Sequence, residues 1–291
     1  RVSALDREAL LDFLTNAYEP TTRVAPWNGG SGFYPKDNRV AIDLLEASAA
    51  LRLAAYREVI GWAREAVGDR VTPPSNEEKK ALLQQCRDFW SGPVTEWLDA
   101  AYALTADGTV RYPALLGTGG NDGRLEFSSN YMRRVAELFD LETGVPNPST
   151  NEQLRAALFG APTDQLIGKK PDISKNKPAS GQLLPGYSLF NPWDFVLMLE
   201  GALLLEVAAV RRLESHELPQ AAAPFAVRGR AAGYASAAGA DEGNRGEQWF
   251  PLWSAPSTVA EVQALFDEGR MRVGRRDAQS ALDAARALAR L

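Results

Sequence analysis

Two glycine-rich stretches hold the side chains best suited to touch another molecule. The first, WNGGSGFYPK, spans residues 27–36 and contains Asn28, Gly29, Gly30, Ser31, Gly32 and Lys36. The second, GTGGNDGR, spans residues 117–124 and contains Asn121, Asp122 and Arg124. Asparagine and arginine can hydrogen-bond to base edges, and backbone N–H groups can contact phosphates. Because glycine has no side chain to clash, such loops can enter a narrow nucleic-acid groove.

Aromatic residues flank the first loop, and two interpretations of them stay open. Trp27, Phe33 and Tyr34 can stack on a flat ligand or pin the loop to a core, and we expect them to brace the loop. The Trp-Asn-Gly-Gly run is also similar to sugar-binding loops. A carbohydrate-binding module, or an enzyme acting on glycosides, is therefore the alternative function.

The sequence gives little support to a catalytic site. Nucleophilic catalysis needs a base, and the one histidine, His216, follows a predicted helix end, where histidines are often solvated. With one cysteine, Cys86, disulfide frameworks and Cys/His metal sites are excluded within this chain. Glu200 and Glu206 lie six positions apart on a predicted helix and do not share a face, so we expect them to pair with arginines.

The second glycine loop does not match the P-loop, the motif that binds nucleotide phosphates, since no Gly-Lys-Ser/Thr follows it. The sequence therefore gives little support to an enzyme with a nucleotide cofactor, and we expect no cofactor and no metal.

Helical periodicity dominates the elements that must carry these loops. The spacing predicts helices over residues 4–17, 37–67 (capped by Asp37 or Asn38), 75–89, 93–104, 151–159, 191–214, 258–268 and 276–290, with another in the second half of 125–139. Ser75 with Glu78, and Thr258 with Glu261, form capping boxes. Extended structure is expected near 110–127 and 224–253. The predicted fold class is mainly α with a minor β component (α+β), with helical lobes carrying the glycine-rich loops.

Three sequential regions are expected. Residues 1–160 form a helical lobe with both glycine loops, residues 161–190 a long mobile basic loop, and residues 191–291 a buried helix, short strands and C-terminal helices. The apolar run 195–210 contains Glu200 and Glu206 and is too short and too charged to span a membrane. With no signal peptide, we expect a cytoplasmic protein that begins inside a longer one. The formal net charge of −5 argues against coating nucleic acid over the whole surface but allows local basic sites.

Five blocks, in order, carry a family resemblance. They are PWNGGSGFYPKDN (26–38), LLGTGGNDGRLEFSSNYMRR (115–134), NPWDFVLMLEGALLL (191–205), APFAVRGRAAGYASAAG (223–239) and RGEQWFPLWSAP (245–256). Together they resemble the large-subunit family of type I-G (formerly I-U) CRISPR effector complexes. That family is longer than 291 residues, so the chain is expected to be an internal portion that lacks the family's amino-terminal and carboxy-terminal parts.

The resemblance implies a non-catalytic large subunit of a Cascade-like ribonucleoprotein complex for antiviral defense. The resemblance further implies that this subunit helps to recognise the protospacer-adjacent motif in duplex DNA, to hold the displaced strand and to dock the helicase-nuclease. The implied partners are double-stranded target DNA, the guide-RNA-bearing backbone subunits and the helicase-nuclease. Because guide RNA reads the target by pairing, the subunit itself needs only local DNA contacts.

Within this implied function, the residues suggest a division of roles. We expect the loop Asn28–Gly32 to enter the groove, with Lys36 beside it and Asn121–Arg124 as the second candidate. The side chains expected to hold phosphates or the displaced strand are the lysines at 169–177 (Lys169, Lys170, Lys175 and Lys177) with Arg228, Arg230 and Arg245. Trp193, Trp249, Phe250 and Trp253 are assigned to core packing or a subunit interface.

Overall fold

The computed structural model describes residues 6–104, 110–111, 127–164, 191–206, 208–210, 220–222, 224–227, 247–252, 256–269, 271–273, 276–278 and 280–288. Its helices are α1 Arg7–Asp12, α2 Val40–Ala47, α3 Ala54–Val67, α4 Asn76–Phe89, α5 Val94–Ala101, α6 Phe127–Leu138, α7 Thr150–Phe159, α8 Pro192–Gly201, α9 Val259–Glu268 and α10 Ala281–Leu288. A π-helical turn, Phe13–Ala17, continues α1, and 3-10 turns cover Leu51–Leu53 and Ala202–Leu205. Helices dominate, which confirms the mainly α class.

The strands are short and pair only two by two among the described residues. They are β1 Ala103–Leu104 with β2 Val110–Arg111, β3 Ala208–Val210 with β4 Gln220–Ala222, β5 Ala226–Val227 with β6 Glu247–Gln248, and β7 Arg272–Val273 with β8 Arg276–Asp277. All four pairs are antiparallel.

The chain forms two compact units. The large unit contains the described residues of 4–98 and 119–201, and the small unit contains those of 99–118 and 202–291. This division differs from the expected boundaries at 160 and 190. The reason lies in α8, whose residues Trp193, Val196 and Leu199 are fully buried and which packs on α6 and α7. Burial of this apolar helix therefore joins residues 192–201 to the N-terminal helices.

The single helix expected over 37–67 is wrong, because the chain breaks after α2. Ser48 is extended (φ −62°, ψ 134°) and its hydroxyl donates to the Leu141 carbonyl at 2.5 Å. The amides of Ala49 and Ala50 donate to the same oxygen at 3.0 and 3.1 Å. Arg57 then donates to the freed Ser48 and Ala50 carbonyls at 2.6 and 3.0 Å. These long-range hydrogen bonds replace the i→i−4 hydrogen bonds of a continuous helix. The apolar periodicity of the sequence continues through the break, so it did not reveal where α2 ends.

The start of α2 also differs from the prediction. Neither Asp37 nor Asn38 is the N-cap residue, which is Arg39 with no side-chain cap. Asn38 instead accepts from the Val40 amide at 3.1 Å, and Asp37 serves the glycine loop described below.

The helix expected over 191–214 begins as predicted but ends early. Asn191 accepts from the Trp193 amide at 3.1 Å, and Pro192 occupies the first helical position. After Gly201 the chain tightens into a 3-10 turn to Leu205, and Ala208–Val210 is a strand. Pairing with Gln220–Ala222 satisfies the backbone of this strand, so tertiary pairing outweighs the helical pattern beyond Leu205.

Both capping boxes are confirmed. The Ser75 and Glu78 side chains bond reciprocally with each other's backbone amides at the start of α4, and Thr258 with Glu261 does so at α9. The last helix is shorter than the expected 276–290, since Arg276 and Asp277 form β8 and α10 begins at Ala281. In the small unit, Phe225 and Phe266 meet edge to face at 5.3 Å in a core with Val262, Met271 and Ala284.

Among the helices that the structure describes, none is both long and apolar enough to cross a membrane.

Candidate nucleic-acid interface

The glycine loop at residues 27–36 is tied together by one carboxylate. Asp37 accepts hydrogen bonds from the backbone amides of Gly30 (2.8 Å), Gly32 (3.0 Å) and Tyr34 (3.3 Å). Gly30 and Gly32 have positive φ values of 85° and 97°, which turn their amides toward this one acceptor. The Asp37 carboxylate therefore holds the loop in a defined conformation.

This arrangement narrows how the loop can contact a ligand. Because the amides of Gly30 and Gly32 already donate to Asp37, they are not offered to a phosphate as the sequence suggested they could be. The amide of Asn28 is also engaged, donating to the Ala25 carbonyl at 3.0 Å. The exposed Gly29 amide and the side chains at the edge of the loop are then the groups left to hydrogen-bond an outside molecule.

The aromatic residues of the loop lie inside the protein, which agrees with the bracing role expected of them. Trp27 and Tyr34 are 1% exposed and Phe33 is 7% exposed. Trp27 packs against Trp90 with ring centroids 6.3 Å apart, and the Tyr34 hydroxyl donates to the Pro26 carbonyl at 2.5 Å. Burial raises the pKa of Tyr34 to about 12, so the hydroxyl stays protonated. None of these three rings offers a face to a sugar or a base.

Two glycines are required by their surroundings. A Cβ on Gly32 would lie 2.7 Å from Ile42 Cδ1, and a Cβ on Gly29 would lie 2.9 Å from Pro73 Cγ. Since both distances are below any normal carbon contact, the loop packs on α2 and on the segment before α4 only when these positions lack side chains.

The structure separates the predicted loop residues by exposure. Gly29 and Lys36 are exposed, and Asn28 and Gly30 are half-buried. Ser31 and Gly32 are buried, and the Ser31 hydroxyl has no hydrogen-bond partner among the described residues. Within the glycine run 28–32, the exposed and half-buried residues are Asn28, Gly29 and Gly30, and these three form what we call the outer edge of the loop.

A lysine that sequence reasoning missed lies at this edge. Lys79, in the first turns of α4, places Nζ 3.4 Å from Asn28 Oδ1. It is half-buried, and this burial lowers its pKa. The residues are 51 positions apart, so only the packing of α4 against the loop brings them together. A lysine in a helix beginning with a capping box gave no local signal of this role.

Other predicted contact residues lie outside the described residues. They are Asn121, Asp122 and Arg124 of the second glycine loop, Lys169, Lys170, Lys175 and Lys177 of the basic segment, and Arg228, Arg230 and Arg245. His216 and Trp253 also lie outside them. Trp193 is fully buried, in agreement with core packing, whereas Phe250 is 61% exposed and Trp249 packs against the small core.

A buried polar network fixes the segment that leads into the loop. Glu200 on α8 accepts from the hydroxyls of Tyr18, Tyr131 (2.5 Å) and Thr21 (2.9 Å to Oε2). Arg23 completes the set, donating from Nη2 to Glu200 Oε2 at 2.9 Å, with its guanidinium 5.3 Å from the Trp97 ring centroid. Because Arg23 is only four residues before Trp27, this network holds the entry to the loop.

The electrostatics of the network favour an ionised carboxylate. Burial by itself raises the pKa of Glu200, but the Arg23 charge and the hydroxyl donors outweigh it and lower the pKa. Burial raises the pKa of Tyr18 and of Tyr131, so both remain donors. Arg23 Nε and Nη1 are buried without a partner among the described residues, which leaves Glu200 as the carboxylate balancing this charge.

The arginine pairing expected of the two helix carboxylates holds for one of them. Glu200 pairs with Arg23 as described. Glu206 makes no ion pair within the described part of the chain, and burial together with the nearby carboxylates of Asp99 and Asp267 raises its pKa. A group of three or more His, Cys, Asp or Glu residues arranged to hold a metal ion is not found among the described residues.

Comparison of the chain with models of known protein families and with curated protein sequences gives no match.

Proposed function

We propose that this chain is a non-catalytic large subunit of a type I-G CRISPR surveillance complex that contacts target duplex DNA at the protospacer-adjacent motif and holds the displaced strand. The observation that carries the proposal is the order of the five sequence blocks, from residue 26 to residue 256. The partners proposed with it are the guide-RNA-bearing backbone subunits and a recruited helicase-nuclease, and the proposed location is the cytoplasm.

The glycine loop supports a local, shape-dependent DNA contact. Its outer edge is narrow, because Asn28 is followed by Gly29 and Gly30, and Asp37 holds it in one conformation. A rigid edge of small residues suits insertion into a groove, since little conformational entropy is lost on binding. Lys36 and Lys79 lie close by and add positive charge.

The overall charge fits the same function. At −5 the protein does not attract DNA along its whole surface, and an RNA-guided complex does not require it to. Guide pairing supplies the sequence reading of the target, so one subunit needs only a short local contact to read the adjacent motif.

The carbohydrate alternative gains no comparable support. Sugar recognition through the Trp-Asn-Gly-Gly run needs an accessible aromatic ring, and Trp27 is 1% exposed. A glycan screen followed by tryptophan fluorescence tests this alternative directly, and a saturable response would favour it over DNA.

The experiment for the proposed function uses this protein co-expressed with type I-G backbone subunits and a guide RNA. We expect the protein to co-purify with the guide RNA. We also expect the complex to select particular bases from duplex targets whose flanking motif is randomised. Photo-crosslinks from these duplexes should map to the loop 27–36.

Two results would overturn the proposal. One is failure of the protein to associate with the backbone subunits and guide RNA. The other is an assembled complex that binds matched targets with no preference for any flanking sequence.

A further inference from the structure

We propose that Lys79 orients the Asn28 side chain so that its amide NH2 faces outward and donates to a hydrogen-bond acceptor on a base edge. This inference rests on the proposed function and names the chemistry by which the loop reads DNA. Lys79 is then a positioning residue, and Asn28 is the residue that contacts the base.

The first step is the polarity of the contact. A lysine ammonium has three donors and no acceptor, so the Asn28 atom that faces Nζ at 3.4 Å is the carboxamide oxygen. The NH2 group lies on the other side of the same planar amide and donates no hydrogen bond within the described residues. An asparagine without this neighbour could turn either end outward.

The second step removes the competing donors. The amides of Gly30, Gly32 and Tyr34 all donate to Asp37, and the Asn28 amide donates to the Ala25 carbonyl. The Ser31 side chain is fully buried. The Asn28 NH2 is thus the side-chain amide donor that the loop's outer edge can aim at a ligand, next to the backbone amide of the exposed Gly29.

The third step is the setting of Lys79. The lysine is half-buried, so its side chain is held against the protein over part of its length, and burial lowers its pKa. Its neighbour Lys80 is exposed on the same helix. Burial of part of the lysine stem limits where Nζ can lie, which suits a side chain that orients its neighbour.

The ligand chemistry follows from the donor. Base edges present acceptors in both grooves: purine N7 and guanine O6 in the major groove, and adenine N3 and thymine O2 in the minor groove. The proposal therefore predicts selection at one base-pair position, with loss of about tenfold in preference when the donor is removed.

The test compares four variants in the assembled complex, each measured against a duplex library with a randomised flanking motif. Asn28→Asp keeps an oxygen beside Lys79 and replaces the NH2 by an acceptor, so base preference should be lost. Lys79→Met should lose the same preference, and Lys79→Arg should restore it. Lys80→Met, the matched control, should leave the preference unchanged.

A salt titration separates positioning from phosphate binding. A lysine that binds phosphate lowers affinity for every sequence when removed and decreases the salt slope by about one. A positioning lysine changes base preference and leaves the slope unchanged. Thermal unfolding of each variant within about 2 °C of the wild type shows that the substitutions leave the protein folded.

The outcomes are distinguishable from those of the proposed function. If the wild-type complex selects a motif but Asn28→Asp or Lys79→Met selects it equally well, the inference is overturned and the proposed function stands. It is also overturned if Lys80→Met has the same effect as Lys79→Met, or if Lys79→Met only flattens the salt slope. If the wild-type complex shows no base preference at all, both are overturned.

Discussion

Asp37 and Glu200 each collect several hydrogen-bond donors on one carboxylate, but they take those donors from different ranges of the chain. The donors to Asp37 lie three to seven residues away. Those to Glu200 lie between 69 and 182 residues away. Asp37 therefore shapes one loop, while Glu200 joins segments that are distant in sequence.

The two carboxylates also differ in what happens when they are lost. The donors to Asp37 are neutral backbone amides, and the Asp37 side chain that accepts from them is only half-buried. Glu200 balances Arg23, whose side chain is completely buried. Since an unpaired buried charge costs far more than an unpaired amide, the difference predicts a global effect at Glu200 and a local one at Asp37.

The largest effect is expected from Glu200→Ala. Removing the carboxylate leaves the Arg23 charge buried without its partner, so the free energy of unfolding in urea should fall by roughly 3–5 kcal/mol. Glu65→Ala, an exposed glutamate on α3, is the control and should change it by less than about 0.5 kcal/mol. The double variant Arg23→Met/Glu200→Leu should recover part of the loss, because no charge is left unpaired although the hydroxyls of Tyr18, Tyr131 and Thr21 still lack this acceptor. A loss below about 1 kcal/mol for Glu200→Ala would contradict this account.

The next effect is expected from Gly32→Ala. The new Cβ would sit 2.7 Å from Ile42 Cδ1 on a residue with φ of 97°, which should cost about 2–3 kcal/mol of unfolding free energy. Gly61→Ala is the matched control: it lies within α3, and a Cβ there meets nothing within 4 Å. It should instead stabilise the protein by about 0.5–1 kcal/mol. Equal effects at the two glycines would be inconsistent with the packing described.

A smaller and local effect is expected from Asp37→Ala. The amides of Gly30, Gly32 and Tyr34 lose their acceptor, so the free energy of local opening should fall by about 1–2 kcal/mol. Native-state hydrogen exchange at these amides measures it, with amides of α8 as the internal reference. Faster exchange throughout α8 would show that Asp37 also supports the fold as a whole.

The smallest effect is expected from pH. The pKa of Glu200 is lowered in the folded protein from its ordinary value of 4.5, so the unfolded chain takes up the proton first as the pH falls. The stabilisation is complete above the ordinary pKa and is lost as the pH falls through the folded one. The difference in unfolding free energy between wild type and Glu200→Gln should therefore shrink as the pH falls below about 4.5 and through the lower pKa of the folded protein. A constant difference over this range would mean that Glu200 does not ionise as described.

Local sequence chemistry predicted the parts of the fold that depend on nearby residues. The capping boxes Ser75–Glu78 and Thr258–Glu261 are correct because all their atoms lie within four positions. The start of α8 at Asn191-Pro192 is correct for the same reason. The break at Ser48 escaped prediction because its partner, the Leu141 carbonyl, is 93 residues away.

In the candidate site, too, the features set by nearby residues were predictable and the contacts between distant residues were not. The glycine loop and its bracing aromatics were recognised from the sequence. Asp37 was expected to cap a helix, a role for which its side chain is equally suited, and only the folded loop shows that it serves three amides instead. Lys79 was not recognised, since its contact with Asn28 spans 51 residues.

The sequence by itself determined the helical class, the helix caps, the position of the glycine loop and the block order on which the proposed function rests. The tertiary structure decided which loop residues face outward, which carboxylate holds the loop, and that Arg23, Tyr18 and Tyr131 meet at Glu200. The physical reason is that caps and periodicity depend on hydrogen bonds and burial within a few residues. The pairing of buried polar groups depends instead on which distant segments packing brings together.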